Sequence, residues 1–177
     1  TNNDVTAKQN EGTQAINDVQ QTPTAKTDAK NAIDQAADAK KAAIEADNTL
    51  TRQEKDAAKS KVDQEVTKAK SAIDAATSDE DVAAQKDAGK DAINAVPQTP
   101  TAKTDAKNAV DQAATDKKNA IENDPALTRQ EKDAAKAKVD DEAKKAKDAI
   151  DVATTNEDVT AQKDAGKDAI NAVPQTP

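Results

Sequence analysis

The sequence predicts an all-α fold: tandem three-helix bundles stacked end to end into an elongated rod. Three observations carry that prediction. The chain repeats itself at an offset of 77 residues. Its apolar residues recur at helical spacing, and no run of β-branched residues competes for strand. Capping residues and prolines fall at the same places in each repeat.

Residues 24–100 align with 101–177 at 61 of 77 positions without a gap, and residues 1–23 match the last part of the same unit. The expected organisation is therefore residues 1–22 as the last helix of a preceding repeat, 23–99 as one full three-helix repeat and 100–177 as a second. Such a chain reads as an internal fragment, with export and anchoring signals expected outside it.

Within a unit the first helix is opened by Thr22-Pro23 or Thr99-Pro100, which fit an N-cap followed by proline at the first helical position. Its apolar stripe runs Ala29, Ile33, Ala36, Ala37, Ala43 and Ile44. The second helix opens on a capping box, Thr51 with Glu54 and Thr128 with Glu131. Its stripe is Ala58, Val62, Val66, Ala69, Ile73 and Ala76. Ser78 with Asp81, and Thr155 with Asp158, resemble the same device at the third helix, where Asp79, Glu80 and Asp81 also suit the positive end of the helix dipole. Its stripe is Val82, Gly89, Ala92, Ile93 and Val96. The expected lengths are roughly 23, 26 and 18 residues, so the longest helix spans about 39 Å at ~1.5 Å per residue. Short turns suit antiparallel neighbours in an up-down-up bundle. They leave open which three helices share one.

The VPQTP segments that end each unit contain Pro97, Pro100 and Pro174, and VQQTP at 19–23 carries Gln20 in place of the first proline. Fixed φ angles and the absence of glycine predict a stiff joint. Each unit has only nine large aliphatic residues, so alanine must do much of the packing and the helices must lie close. Gly12, Gly89 and Gly166, the only glycines, stand at the same place in each repeat on the third helix's apolar stripe. They are expected to permit close helix approach; the alternative is a backbone contact site for a ligand.

Composition removes most chemistry. The chain has no Phe, Tyr, Trp, Met, Cys or His. It therefore offers no thiol nucleophile, no imidazole base and none of the usual zinc or iron ligands apart from carboxylates. No catalytic residue, metal site or cofactor is expected. Net charge is −8 with no aromatic platform, which argues against nucleic acid as a partner. No apolar run approaches the ~20 residues of a membrane span. Carboxylate groups such as Asp140 with Asp141 lack the spacing of a calcium loop and read as solvated helix faces, paired at i, i+4 with Lys144 and Lys145. Lys40, Lys41, Lys117 and Lys118 are the nearest thing to a basic cluster. TRQEKDAAK, with Arg52 and Arg129, reads either as a helix start with Arg52 and Asp56 at i, i+4 or as a recognition patch.

The wording of the repeat resembles a known family. The stretch K-S-K-V-D-Q-E at 59–65, A-I-D-A-A-T-S at 72–78 and A-G-K-D-A-I-N-A-V at 88–96 are similar to the helical repeats called "domain of unknown function 1542". These occur in tandem in large cell-wall-anchored surface proteins of Gram-positive bacteria, including staphylococcal matrix-binding and biofilm adhesins. The resemblance implies an extracellular location, attachment to the cell wall through a motif elsewhere in the parent chain, and no catalytic role. The leading expectation is a structural stalk that projects a distal ligand-binding domain, with neighbouring repeats of the same chain as its partners. The alternative is that the repeats themselves bind host extracellular-matrix protein or make homophilic contacts between cells. A conditionally disordered chain is a third reading of this composition, against which caps at a fixed period argue.

Overall fold

The computed structural model describes residues 1–19 and 23–177. Among these it is all-helical: α1 (Asn2–Asn17), α2 (Thr24–Ala46), α3 (Arg52–Ala75), α4 (Asp79–Asn94), α5 (Thr101–Glu122), α6 (Arg129–Val152) and α7 (Asn156–Asn171). Helices α2, α3 and α4 pack pairwise on one another, and so do α5, α6 and α7. A bundle is thus made from consecutive helices between two proline segments. Its two cores are separate clusters, one around Ile33, Ile44, Val62, Ile73 and Ile93, the other around Val110, Ile121, Val139, Ile150 and Ile170.

The capping boxes form at α3 and α6: the Thr51 hydroxyl accepts from the Glu54 amide at 3.2 Å while the Glu54 carboxylate accepts from the Thr51 amide at 3.0 Å, and Thr128 and Glu131 repeat this at 3.2 and 2.9 Å. Only half of the device exists at α4 and α7. Ser78 and Thr155 accept from the Asp81 and Asp158 amides, both at 3.1 Å, but no bond returns from either aspartate, whose Oδ1 accepts from Gln85 or Gln162 at 3.3 Å instead.

Two expectations are corrected. Pro23 and Pro100 occupy the N-cap position itself, not the first helical position. With φ −81° and ψ 64°, Pro100 centres an inverse γ-turn in which the Thr101 amide donates to the Thr99 carbonyl at 2.9 Å. Proline contributes a carbonyl, which accepts from Thr104 at 3.1 Å, and Pro23 does the same for Thr27 at 3.3 Å. Thr99 is therefore not a side-chain cap; Thr22 and Gln20 lie outside the described residues. Second, Ala43 is exposed: it stands about 100° around α2 from Ile44, whereas Ala29, Ile33, Ala37 and Ile44 keep to the seam, and Ala36 on α2 and Val66 on α3 are half-buried and pack against the core from its edge.

Helix C-termini are closed in a way the sequence does not announce. None of the seven helices has a basic residue in its last turn, and no described residue has positive φ, so the usual glycine cap is missing. A lysine from a neighbouring helix donates to a terminal carbonyl instead. Lys55 reaches Glu45 O at 2.6 Å, Lys26 reaches Asp74 O at 2.7 Å and Lys40 reaches Asn94 O at 3.1 Å, closing α2, α3 and α4. Lys132, Lys103 and Lys117 do the same for α5, α6 and α7. Each places a cation at the negative end of a helix dipole.

Candidate functional site: the joint between the bundles

Polar side chains converge where one bundle meets the next. The α2–α3 turn is set by Asp47, whose Oδ1 accepts from the Thr49 amide at 3.0 Å and hydroxyl at 2.6 Å. The hydroxyl bond is the main reason the Asp47 carboxyl sits below its ordinary value. Its other oxygen accepts from Gln98 Nε2 at 3.1 Å, which ties the proline segment to the turn. Gln175 and Asp124 repeat that tie at 3.3 Å. Pro97 and Pro174 are solvent-exposed within these segments.

From this turn the start of α3 reaches into the second bundle. The Arg52 amide donates to the Thr154 carbonyl at 2.7 Å. Thr51, fully buried although polar, donates its hydroxyl to Asn156 Oδ1 at 2.7 Å while still capping its own helix. Gln53 makes a two-way contact, donating to Glu157 Oε2 at 2.7 Å and accepting from the Asn156 amide at 3.0 Å. Glu54 Oε2 accepts from the Ala102 amide at 3.1 Å, one of the donors left unpaired at a helix start. Lys103 is buried at 4% exposure and bridges Asp151 O at 2.7 Å and Asn48 O at 2.9 Å, so one ammonium closes α6 and clasps the preceding bundle. Burial holds this lysine below the ordinary range, and the nearby Asp151 opposes the shift.

The motif TRQEK is therefore both a helix start and half of the joint. Arg52 does not chiefly pair with Asp56, which lies at 3.5 Å; its fork grips Glu45 at 2.6 and 3.0 Å, and Lys59 adds a contact at 2.5 Å. Arg129 and Lys136 hold Glu122 in the same way. Hydrogen bonds from the arginines, then the lysines, bring both glutamates down to about 2. The four lysines that come nearest to a basic cluster in the sequence each have their own partner: Lys41 pairs with Asp63, Lys118 with Asp140, and Lys40 and Lys117 close helix ends. Lys144 turns forward to Asp148 and Lys145 back to Glu142, so the i, i+4 pairs with Asp140 and Asp141 do not form. Among the described residues no group of three or more acidic side chains is arranged to hold a metal ion, and no helix is long and apolar enough to cross a membrane.

The glycines lie on the helix seams. A Cβ built on Gly89 would stand 2.5 Å from Ala69 Cβ and 2.8 Å from Ile33 Cδ1. Gly166 meets Ala146 Cβ in the same way. Gly12 has open space around it, and α1 buries no residue: Val5, Ile16 and Val19 are about 70% exposed, whereas their counterparts Val82, Ile93 and Val96 are buried. Sequence reasoning missed Gln53, Lys103, Asn156 and Glu157, which look like ordinary surface residues until two bundles are placed together.

The family described as Domain of Unknown Function (DUF1542) matches residues 25–101 and again residues 102–177. The chain belongs to the DUF1542 family. Each DUF1542 match covers one three-helix bundle, and the joint lies between the two matches. Among curated relatives, Extracellular matrix-binding protein EbhA of Staphylococcus aureus (strain Newman) is 31% identical over 150 residues, covering 85% of this chain and 4% of that protein. Extracellular matrix-binding protein ebh of Staphylococcus aureus (strain MW2) is 33% identical over 159 residues, covering 85% of this chain and 2% of that protein. The DUF1542 chain thus spans a small fraction of the length of these relatives. No solved structure matches it.

Proposed function

We propose that this DUF1542 chain is a non-enzymatic stalk segment of a bacterial cell-surface adhesin, one that projects a distal ligand-binding domain away from the cell wall. In this reading residues 1–22 are the last helix of a preceding repeat, and 23–99 and 100–177 are two stacked units. The observation that supports it is the joint. A main-chain bond, two side-chain clasps from Gln53 and the Lys103 bridge oppose bending at the same point where Gln98 holds the proline segment against Asp47.

Small-angle scattering tests it. Two bundles of about 36 Å and a 16-residue helix laid end to end reach about 95 Å, with a radius of gyration near 28 Å, against about 16 Å for a compact globule of this length. A compact or freely jointed particle would overturn the stalk reading. Replacing Pro97 and Pro100 with glycine should broaden the distribution of inter-bundle angles.

A second reading rests on the relatives' description as extracellular matrix-binding proteins: the repeats themselves engage matrix protein, many weak sites adding up along one chain. Immobilised chain that retains no fibronectin or fibrinogen would count against it.

A further inference from the structure

Between its clasps the joint leaves a cleft of about 460 Å³, with the α2–α3 turn and the start of α3 on one side and the end of α6 and the α6–α7 turn on the other. Part of its wall is cationic. Lys55 closes α2 and Lys103 closes α6, and the joint brings these two lysines, which serve different bundles, into the same cleft. Both ammonium groups are held by carbonyl oxygens: Lys55 by Glu45 O at 2.6 Å, Lys103 by Asp151 O at 2.7 Å and Asn48 O at 2.9 Å. Among the described residues no carboxylate forms an ion pair with either. Of the three N–H donors of an ammonium, Lys55 has used one and Lys103, 4% exposed, has used two.

The charges around the cleft do not cancel. A helix C-terminus carries about half a negative charge, so two ammonium groups against the ends of α2 and α6 leave about one positive charge. The other charged neighbours are already matched. Arg52 grips Glu45, the Asp151 carboxylate pairs with Lys107 at 2.8 Å, and Glu54 accepts from the amides of Thr51 and Ala102 at two helix starts. The rest of the wall is apolar: Leu50 and Ala153 line it, and Val152, 78% exposed, forms a lip that nothing within the chain covers. The carbonyls of Asn48, Asp151 and Thr154 already accept from Lys103 and from the Arg52 amide, so the cleft suits a ligand that brings no N–H groups of its own.

We infer that this cleft binds an aliphatic monocarboxylate of the fatty-acid type, its head group between Lys55 and Lys103 and its alkyl chain over Leu50, Ala153 and Val152. One carboxylate answers the single excess charge, and the chain takes the exposed lip out of water. A dianion such as phosphate overshoots the charge and leaves the lip wet. The inference goes beyond the stalk reading and rests on the cleft alone.

Titration of the full isotope-labelled chain with sodium octanoate at low salt, followed through its amide chemical shifts, tests this. Saturable shifts should gather at Leu50, Lys55, Lys103 and Val152, with a dissociation constant on the order of 1 mM. Acetate and phosphate, which lack the tail, and octanol, which lacks the charge, should each bind about tenfold more weakly or worse. Lys55→Gln keeps a donor for Glu45 O but removes the charge, and should weaken octanoate binding about tenfold. Lys132→Gln makes the same change at the end of α5, away from the cleft, and should leave binding as it is. Val152→Ala, which installs the alanine that the first repeat has at position 75, touches neither core and should weaken binding about threefold. The inference would be overturned by an absence of saturable shifts at the cleft, by acetate or octanol matching octanoate, or by indifference to both Lys55→Gln and Val152→Ala. Tighter binding of a short peptide with a C-terminal leucine would overturn it as well, by assigning the cleft to a polypeptide end.

Discussion

Adding one methyl group at Gly89 sets two effects of opposite sign against each other. In an open helix, Gly→Ala is favourable by about 1 kcal/mol through backbone entropy. At Gly89 the new Cβ would lie 2.5 Å from Ala69 Cβ and 2.8 Å from Ile33 Cδ1. The isoleucine end can rotate away. The alanine Cβ is fixed to its backbone, so α3 and α4 must separate by about 1 Å to restore ordinary contact, and they lose packing along the seam on which this aromatic-free core depends. Overpacking of a tight core costs ~1–3 kcal/mol, to which the shifted seam adds, so the expected net effect is a loss of about 1–2 kcal/mol after the helical gain. For a unit of this size that corresponds to a melting temperature lowered by about 4–16 °C. Gly12→Ala is the control: with nothing within 4 Å, it should raise the helicity of α1 and leave the bundle transitions where they are. Thermal and urea melts followed by far-ultraviolet circular dichroism read all three variants. Gly89→Ala or Gly166→Ala as stable as the parent would refute the close-approach argument.

The two threonine caps should differ. Thr128→Ala removes a cap worth about 1 kcal/mol, whereas Thr51→Ala removes the same cap and the bond to Asn156, so it should cost about 1 kcal/mol more in urea denaturation. Equal losses would mean that the joint bond contributes nothing. Acid should weaken the fold in a defined window. Glu45 and Glu122 titrate at about 2 when folded, against 4.5 ordinarily, so protons bind more readily to the unfolded chain; their contribution is present above about pH 4.5 and is lost as pH falls toward 2. In Glu45→Gln with Glu122→Gln, the denaturation midpoint should start lower at pH 7 and change less between pH 4.5 and 2 than in the parent.

The local part of the fold was legible in the sequence because its causes are local. Helical periodicity placed Ile33, Val62, Ile73 and Ile93 in the core, and Thr51 with Glu54 marked the start of α3 from residues three apart. Pro100 was misplaced by one position because proline's fixed φ suits both the first helical residue and a γ-turn, and only the ψ angle of 64° separates them. The lysine closures and the joint were not legible. They connect residues tens of positions apart, such as Lys103 and Asn48 or Gln53 and Asn156, and nothing in a polar surface residue's own neighbourhood says which carbonyl it will meet. Val152, 78% exposed beside the joint where the first repeat has Ala75, has no explanation in the structure.

The borrowed lysines bear on how such a chain comes apart. Each of the six bundled helices has its negative terminus neutralised by a neighbour and not by its own last turn. A helix that leaves its bundle therefore gives up its counter-charge together with its apolar contacts, and the first or second helix of a unit also withdraws a lysine from a neighbour as it goes. Partial fraying is penalised at both ends, so opening takes a unit as a whole. A long array built this way would lengthen in increments of one repeat, each setting free a segment of fixed contour length while its neighbours stay folded.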